Sequence, residues 1–182
     1  MTEKLLLHSC CAVCFTGLIG EFRARGFEVT GYFYNPNIHP FMEFQKRLKA
    51  AELACEYSKA PFICDREYGL EMFLKLMDGD YHDRCGKCYR VRLEQAARKA
   101  AEGGFPSFSS TLIISPQQKQ ELIVSIGEEV GRKYGVKFVQ FPATHLHDTG
   151  KAEAKRQSLY RQQYCGCIFS EHERYRRPDN DA

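Results

Sequence analysis

The stretch Lys4–Cys14, KLLLHSCCAVC, decides how this chain is read. KLLLH is a short apolar run with the length of a buried strand, and the cysteine-rich SCCAVC after it reads as a loop. Phe15, Leu18, Ile19 and Phe22 follow at i, i+3, i+4 and i+7, which places one apolar stripe on a helix that Gly26 ends. Strand, loop and helix in this order open a βαβ unit.

The pattern continues outward. Phe27–Tyr34 has the β-branched and aromatic content of a second strand, and NPNIHP after it has the Pro and Asn of a loop. Phe41–Tyr57 is helical in pattern, Pro61–Cys64 a short third strand, and Leu70, Phe73, Leu74 and Met77 repeat the helical stripe. After the polar DGDYHDRCGKC comes a helix of Leu93, Ala96, Ala97 and Ala100 that ends near Gly103 and Gly104. Phe108–Ile113 is predicted as a strand. Ser115 and Pro116 are then placed to start a helix bearing Leu122, Ile123, Ile126 and Val130, and Val136–Phe141 is the last strand. Strands alternating with helices predict an α/β layer fold with a mostly parallel sheet. No repeat or long linker divides the chain, so residues 1–182 are expected to form one domain.

With 182 residues, 43% hydrophobic and 27% charged, folding buries roughly 70% of the unfolded surface, and the core needs no cross-links. The nine cysteines therefore need another explanation. No run reaches the roughly 20 apolar residues of a membrane span, and MTEKLLLHSCC is too short in apolar residues for a secretory signal. A cytoplasmic protein is expected, where thiols stay reduced and cysteines serve metals or redox chemistry. The net charge of +3 is uneven: Lys151–Arg177 holds seven Lys or Arg against three Glu, more than the excess of the whole chain. Such a segment suits a polyanion such as RNA or forms an ordinary solvated helix face.

Ligands of parallel sheets gather beyond the carboxyl ends of the strands. Cys10, Cys11 and Cys14 occupy that place after the first strand. Gly17 and Gly20 stand too late to cradle a phosphate, which argues against a nucleotide cofactor.

Three cysteine groups stand out: Cys10, Cys11 and Cys14; Cys85 and Cys88; Cys165 and Cys167. Cys55 and Cys64 lie in or beside apolar segments and read as small buried hydrophobes. A CxxC at a helix start directs two sulfurs to one point, and the helix N-terminus stabilises their thiolates. With Cys10 and Cys11 the pair Cys85 and Cys88 completes four thiolates, enough for a [4Fe–4S] cluster or for structural zinc. Thiolate count does not choose between them. Cys165 and Cys167 form a redox disulfide, or bind a second metal ion with Cys14 or a hard ligand such as Asp83 or His82, or are idle thiols. Asp78, Asp80, His82 and Asp83 precede the CxxC, where most serve a solvated turn and Asp83 is nearest the sulfurs. Tyr81, Tyr89, Tyr160 and Tyr164 suit packing, base stacking or proton donation.

HSCCAVC, YNPNIHP, RCGKCYRVRL, STLIISPQQ and LYRQQYCGCIFS, in this order and spacing, resemble the epoxyqueuosine reductase family of the QueH type, from His8 to Ser170. The resemblance implies a Rossmann-like α/β domain with a [4Fe–4S] cluster at the carboxyl ends of the strands. It favours iron over zinc and implies reductive removal of the epoxide oxygen of a modified guanine at the tRNA wobble position. By position Cys10, Cys11, Cys85 and Cys88 match the cluster motifs, and Cys165 and Cys167 match the C-terminal pair. That pair is then a redox disulfide or, with Cys14 and Asp83, holds one additional iron, and Tyr164 or Asp83 can protonate the leaving oxygen. The partners implied are a tRNA carrying epoxyqueuosine and an electron donor that the sequence does not name. A zinc-stabilised RNA-binding protein without catalysis explains the cysteines and the basic segment as an alternative, and a thiol–disulfide oxidoreductase is a third reading.

The basic helical segment, about 151–177, is expected to close over the site, with Lys151, Lys155, Arg156 and Arg161 on phosphates. Neutralising Lys155 and Arg156 together is predicted to weaken tRNA binding and flatten its salt dependence. An unchanged salt slope in a filter-binding titration removes both from the interface.

Overall fold

The computed structural model describes residues 2–79 and 81–176. Five strands, β1 (Glu3–His8), β2 (Phe27–Phe33), β3 (Phe62–Cys64), β4 (Ser107–Ser110) and β5 (Lys137–Phe138), form one all-parallel sheet in the order β3-β2-β1-β4-β5. The α/β layer fold expected from the sequence is the fold observed. Leu5, Leu6 and Leu7 of β1 have no solvent exposure, as a central strand covered on both faces requires.

The helices are α1 (Ala12–Ala24), α2 (Phe41–Tyr57), α3 (Leu70–Met77), α4 (Arg84–Glu102), α5 (Gln120–Tyr134), α6 (His147–Arg156) and α7 (Ile168–Tyr175). α1 packs on α2 and α6, while α4 packs on α5, β1 and β4. Right-handed crossovers put these two groups on opposite faces of the sheet. Among the described residues no helix is long and apolar enough to cross a membrane.

The strand order reverses at β1. Chain leaving β1 turns towards β2, and β4 arrives on the other side, so a crevice opens beyond the ends of β1 and β4. The loop after β1 carries the first cysteine group into that crevice. Cys10 meets Thr111 across it, with the Cys10 N–H donating to Thr111 Oγ1 at 3.3 Å.

Several boundaries depart from the sequence reading. The strand expected over Phe108–Ile113 ends at Ser110, and Thr111–Ile114 form a buried 3-10 turn that starts where the Ser110 hydroxyl accepts from the Leu112 N–H. α5 begins at Gln120 rather than Ser115. Residues 115–119 are instead a loop tied by the Gln120 amide to the Ser115 and Leu112 carbonyls, and it turns Gln117 and Gln118 inward. The last strand keeps two residues, Lys137 and Phe138. The basic segment is not one helix: α6 starts earlier, at His147, residues 157–167 are irregular, and α7 follows.

Gly17, which the sequence reading removed from phosphate binding, has a packing role. A Cβ there would stand 2.6 Å from Ile114 Cδ1 and 3.0 Å from the Leu146 carbonyl oxygen. On Gly150 of α6 it would strike the Val13 carbonyl oxygen and lie 3.1 Å from Gly17 Cα. These two glycines let α1 and α6 touch backbone to backbone, and Thr16 Oγ1 donates to the Gly150 carbonyl at 3.2 Å. Gly150→Ala is therefore expected to cost about 2 kcal/mol in urea unfolding, in the range of overpacked cores. Gly20, with nothing within 4 Å of an added Cβ, is the control. Gly20→Ala should be neutral or stabilising by up to about 1 kcal/mol, and equal losses in the two variants would contradict the close crossing.

Candidate functional site

The site grows from the loop after β1. Cys11 is the N-cap of α1 in extended backbone, and its Sγ accepts the Cys14 N–H at 3.4 Å. The helix thus starts on a sulfur where a Ser or Asp would usually stand. The Sγ atoms of Cys10, Cys11 and Cys14 all lie within 4.8 Å of one another, a donor group able to hold a metal ion. Cys14, which the sequence reading set beside the C-terminal pair, thus has its sulfur with Cys10 and Cys11. The Cys10 thiol is pulled well below the ordinary thiol range, first by its hydrogen bonding with Cys11 and Cys14. Those of Cys11 and Cys14 are pushed up, chiefly by the same bonds to Cys10.

The second group stands on the first turn of α4. Cys85 and Cys88, three apart, share one face of the helix. Cys88 is buried with Phe73 and Met77 of α3, with Cys167 and Phe169 packed against them. Burial pushes the Cys88 thiol up to about 12. Asp83 precedes the helix and is exposed, with its carboxylate folded over Gly86, where a Cβ would lie 2.5 Å from Oδ1.

The third group comes from the irregular segment before α7 and is held by Arg47. This side chain, 1% exposed, donates from Nη1 to the Cys165 carbonyl and from Nη2 to the Tyr164 carbonyl, both at 2.8 Å. Its Nε pairs with Glu43 at 2.7 Å, and the Tyr160 hydroxyl donates to the other Glu43 oxygen. The His39 N–H donates to the Gly166 carbonyl at 2.8 Å, and the Tyr164 hydroxyl donates to the His39 carbonyl. Gly166, at φ +131°, takes a backbone conformation that suits glycine, with Arg47, Ile38 and Asn37 closing in on it. YNPNIHP and LYRQQYCGC are thus two sides of one clamp.

A cavity of about 880 Å³ joins the three groups. Cys10, Cys14, Cys85, Cys165 and Cys167 line it, with Tyr164. Donors from the wall reach individual sulfurs: Gln162 Nε2 to Cys11 at 2.9 Å, Gln118 Nε2 to Cys165 at 3.6 Å, Arg92 Nη1 to Cys88 at 3.8 Å and the Ser170 N–H to Cys167 at 3.4 Å. Gln118 is aimed, because the Tyr89 hydroxyl donates to its Oε1 at 2.8 Å and leaves the amide nitrogen for the sulfur. His8, just upstream, is neutral. Burial first and Arg92 second take it down to about 3, and its Nε2–H donates to the Tyr34 carbonyl while Nδ1 accepts from Ser110.

Lys151 and Arg161 line the cavity, whereas Lys155 and Arg156 are exposed outside it, and Arg156 pairs with Glu153. Arg84, Lys119 and Arg174 add charge to the wall, and Glu173, paired with Arg84, is its one carboxylate among the described residues. Asp83 does not line the cavity. Cys55 is buried against Gly31, and Cys64 ends β3, both away from it. The sequence reading missed Arg47, Arg92, Gln118 and Gln162. Arg92 follows Cys88 by four residues and Arg47 follows Glu43 by four, spacings that put each pair on one helix face.

The sequence matches the family described as Epoxyqueuosine reductase QueH over residues 5–173. The chain belongs to this family. Relatives named Epoxyqueuosine reductase QueH include one from Dehalococcoides mccartyi, 39% identical over 182 residues and covering 100% of both chains. One from Thermotoga maritima is 36% identical over 176 residues, 91% of this chain and 89% of the relative. Another from Histophilus somni is 36% identical over 177 residues, 92% of this chain and 72% of the relative. In fold the chain is similar to the crystal structure of a predicted subunit of tRNA methyltransferase from Methanocaldococcus jannaschii. The TM-score is 0.57 at 10% identity, over 84% of this chain and 74% of that one.

The clamp yields a prediction about the family fold. Arg47→Met removes three donors and strands a buried Glu43, so it is expected to destabilise the protein by about 3–5 kcal/mol in chemical denaturation. Alkylation of Cys165 and Cys167, followed by mass spectrometry, should accelerate ahead of Cys55. A loss under about 1 kcal/mol with unchanged alkylation would contradict the clamp.

Proposed function

We propose that this reductase converts epoxyqueuosine to queuosine in tRNA with an iron–sulfur centre held by Cys10, Cys11, Cys85 and Cys88. The single observation that carries the reading is that three cysteine groups, far apart in the chain, meet at one basic cavity at the switch point of the sheet. Sulfur donors in this number suit [4Fe–4S], and family membership weighs against a zinc-stabilised binding protein without catalysis. The buried thiols of Cys11, Cys14 and Cys88, pushed above the ordinary range, release protons only when a metal supplies the compensating charge. Cys14, Cys165, Cys167 and Asp83 are our candidates for one additional iron. In that role Asp83 has to turn inward from its exposed position, and a redox disulfide between Cys165 and Cys167 is the other use of the pair.

Converting the epoxide to an alkene takes two electrons and two protons and releases water. When bound, the cluster supplies electrons singly, and an added iron supplies a Lewis acid for the epoxide oxygen. The chain's own residues bind and orient the substrate. Lys151 and Arg161, joined by Arg84, Lys119 and Arg174, meet the phosphates of a splayed anticodon loop, while Lys155 and Arg156 extend that surface outside the cavity. Burial raises Tyr164 and keeps its hydroxyl protonated. The proton now points at the His39 carbonyl, so Tyr164 has to break that bond before it can serve the leaving oxygen. Residues 157–176 form one wall of the cavity and close over the bound base. Reducing equivalents come from an external donor, and a cytoplasmic setting suits both the thiols and the tRNA.

Anaerobically purified protein is expected to contain iron and acid-labile sulfide and to turn epoxyqueuosine-containing tRNA into queuosine-containing tRNA, read by nucleoside mass spectrometry. Serine at Cys10, Cys11, Cys85 or Cys88 should remove the cluster and lower turnover by at least about a hundredfold. Serine at Cys14, Cys165 or Cys167 should remove at most one iron. Colourless protein with zinc alone would end the proposal.

A further inference from the structure

Arg92 is fully buried beside the sulfurs, yet among the described residues no carboxylate pairs with it. Arg47, the other buried arginine of the site, has Glu43 at 2.7 Å. Arg92 has only neutral or thiol partners: Nη2 donates to Asn35 Oδ1 at 2.9 Å, Nη1 to Cys88 Sγ at 3.8 Å, and Nε is buried with no partner. A guanidinium cannot discharge itself by losing a proton, so burial demands an anion nearby. Besides its contact with Cys88, Arg92 lines the cavity together with Cys10, Cys85 and Cys165, so all three cysteine groups are represented around it. Asn35 fixes the head, since its own amide donates to the Ser9 carbonyl at 2.8 Å and so ties the loop after β1, the loop after β2 and α4 together at this point.

We infer that Arg92 is the fixed counter-charge of the metal centre: it offsets the thiolates, leaves one N–H for an acceptor that the centre brings, and favours the reduced state. The inference rests on the iron–sulfur reading. Arg92 acts on the centre through its charge and its N–H groups and not on the substrate. A nearby positive charge stabilises an added electron, so its removal makes the centre harder to reduce.

The test is a spectroelectrochemical titration of the full chain, purified without oxygen, with iron and sulfide counted per chain. Arg92→Met is expected to retain iron and to shift the reduction equilibrium at least tenfold towards the oxidised state, about 59 mV lower for one electron. Arg92→Lys, which keeps the charge, should stay within tenfold of the parent. An Arg92→Met protein that holds iron with a shift below tenfold overturns the inference. Should Arg92→Met lose its iron, Arg92→Lys decides: iron and potential like the parent support the counter-charge. Arg92→Lys without iron, or shifted tenfold or more, overturns it in favour of a role in shape alone. A parent protein without iron and sulfide defeats the iron–sulfur reading itself, a result distinct from an unshifted variant.

Discussion

The hydrogen bonds from Arg47 to the Tyr164 and Cys165 carbonyls hold the site together. They join α2 to a loop 117 and 118 residues away, one with no regular structure of its own to place it. Burying a charged side chain at such depth is costly unless its nitrogens find partners. Here Nε has Glu43 and the two terminal nitrogens have carbonyls, so the desolvation of the guanidinium is answered group by group. Glycine suits position 166, where φ is +131° and a Cβ would stand 3.2 Å from Arg47 Nη1.

The sheet decides where this clamp has to deliver its cysteines. Parallel strands β1 and β4 end side by side at the order reversal, and in that crevice a nucleotide-binding relative would set its phosphate loop. This chain puts sulfur there instead. Cys11 caps α1 and Cys167 caps α7, each taking the N–H three residues on, so two helix starts and the CxxC turn of α4 aim at one cavity. A backbone cradle for phosphate would need glycines at the start of α1, but its glycines serve packing: Gly17 lets α6 approach, and with α6 comes Lys151 at the cavity wall. Among the described residues the cavity wall carries several cations and one carboxylate, which is paired with Arg84, and this balance fits the tRNA partner proposed above.

Much of this was legible in the residues. The Leu5–Leu7 run, the stripe of Phe15, Leu18, Ile19 and Phe22, and the paired glycines after α4 are local signals, and they placed strands and helices to within a few residues. Where the reading slipped, a side chain had overruled the local pattern. Ser110 caps a turn whose apolar Leu112 and Ile113 suit a strand, and Gln120 ties down the loop that Ser115 and Pro116 suit as a helix start. In the basic segment, charge alone gave no hint of the irregular stretch that Arg47 captures. The cysteine groups were visible by spacing. Their supporting donors were not, because Gln118, Gln162 and Arg92 look like surface residues until the fold turns them inward. Lys155 and Arg156 stand outside the cavity for the opposite reason: α6 presents Lys151 to the cavity and these two to solvent.

The position of iron in the molecule is read directly by anomalous diffraction at the iron absorption edge, from crystals grown without oxygen. A compact multi-iron peak bonded to the Sγ atoms of Cys10, Cys11, Cys85 and Cys88, at the carboxyl ends of β1 and β4, is the expected result of the proposed site. A peak at the zinc edge alone, or iron bound away from these four sulfurs, would contradict it.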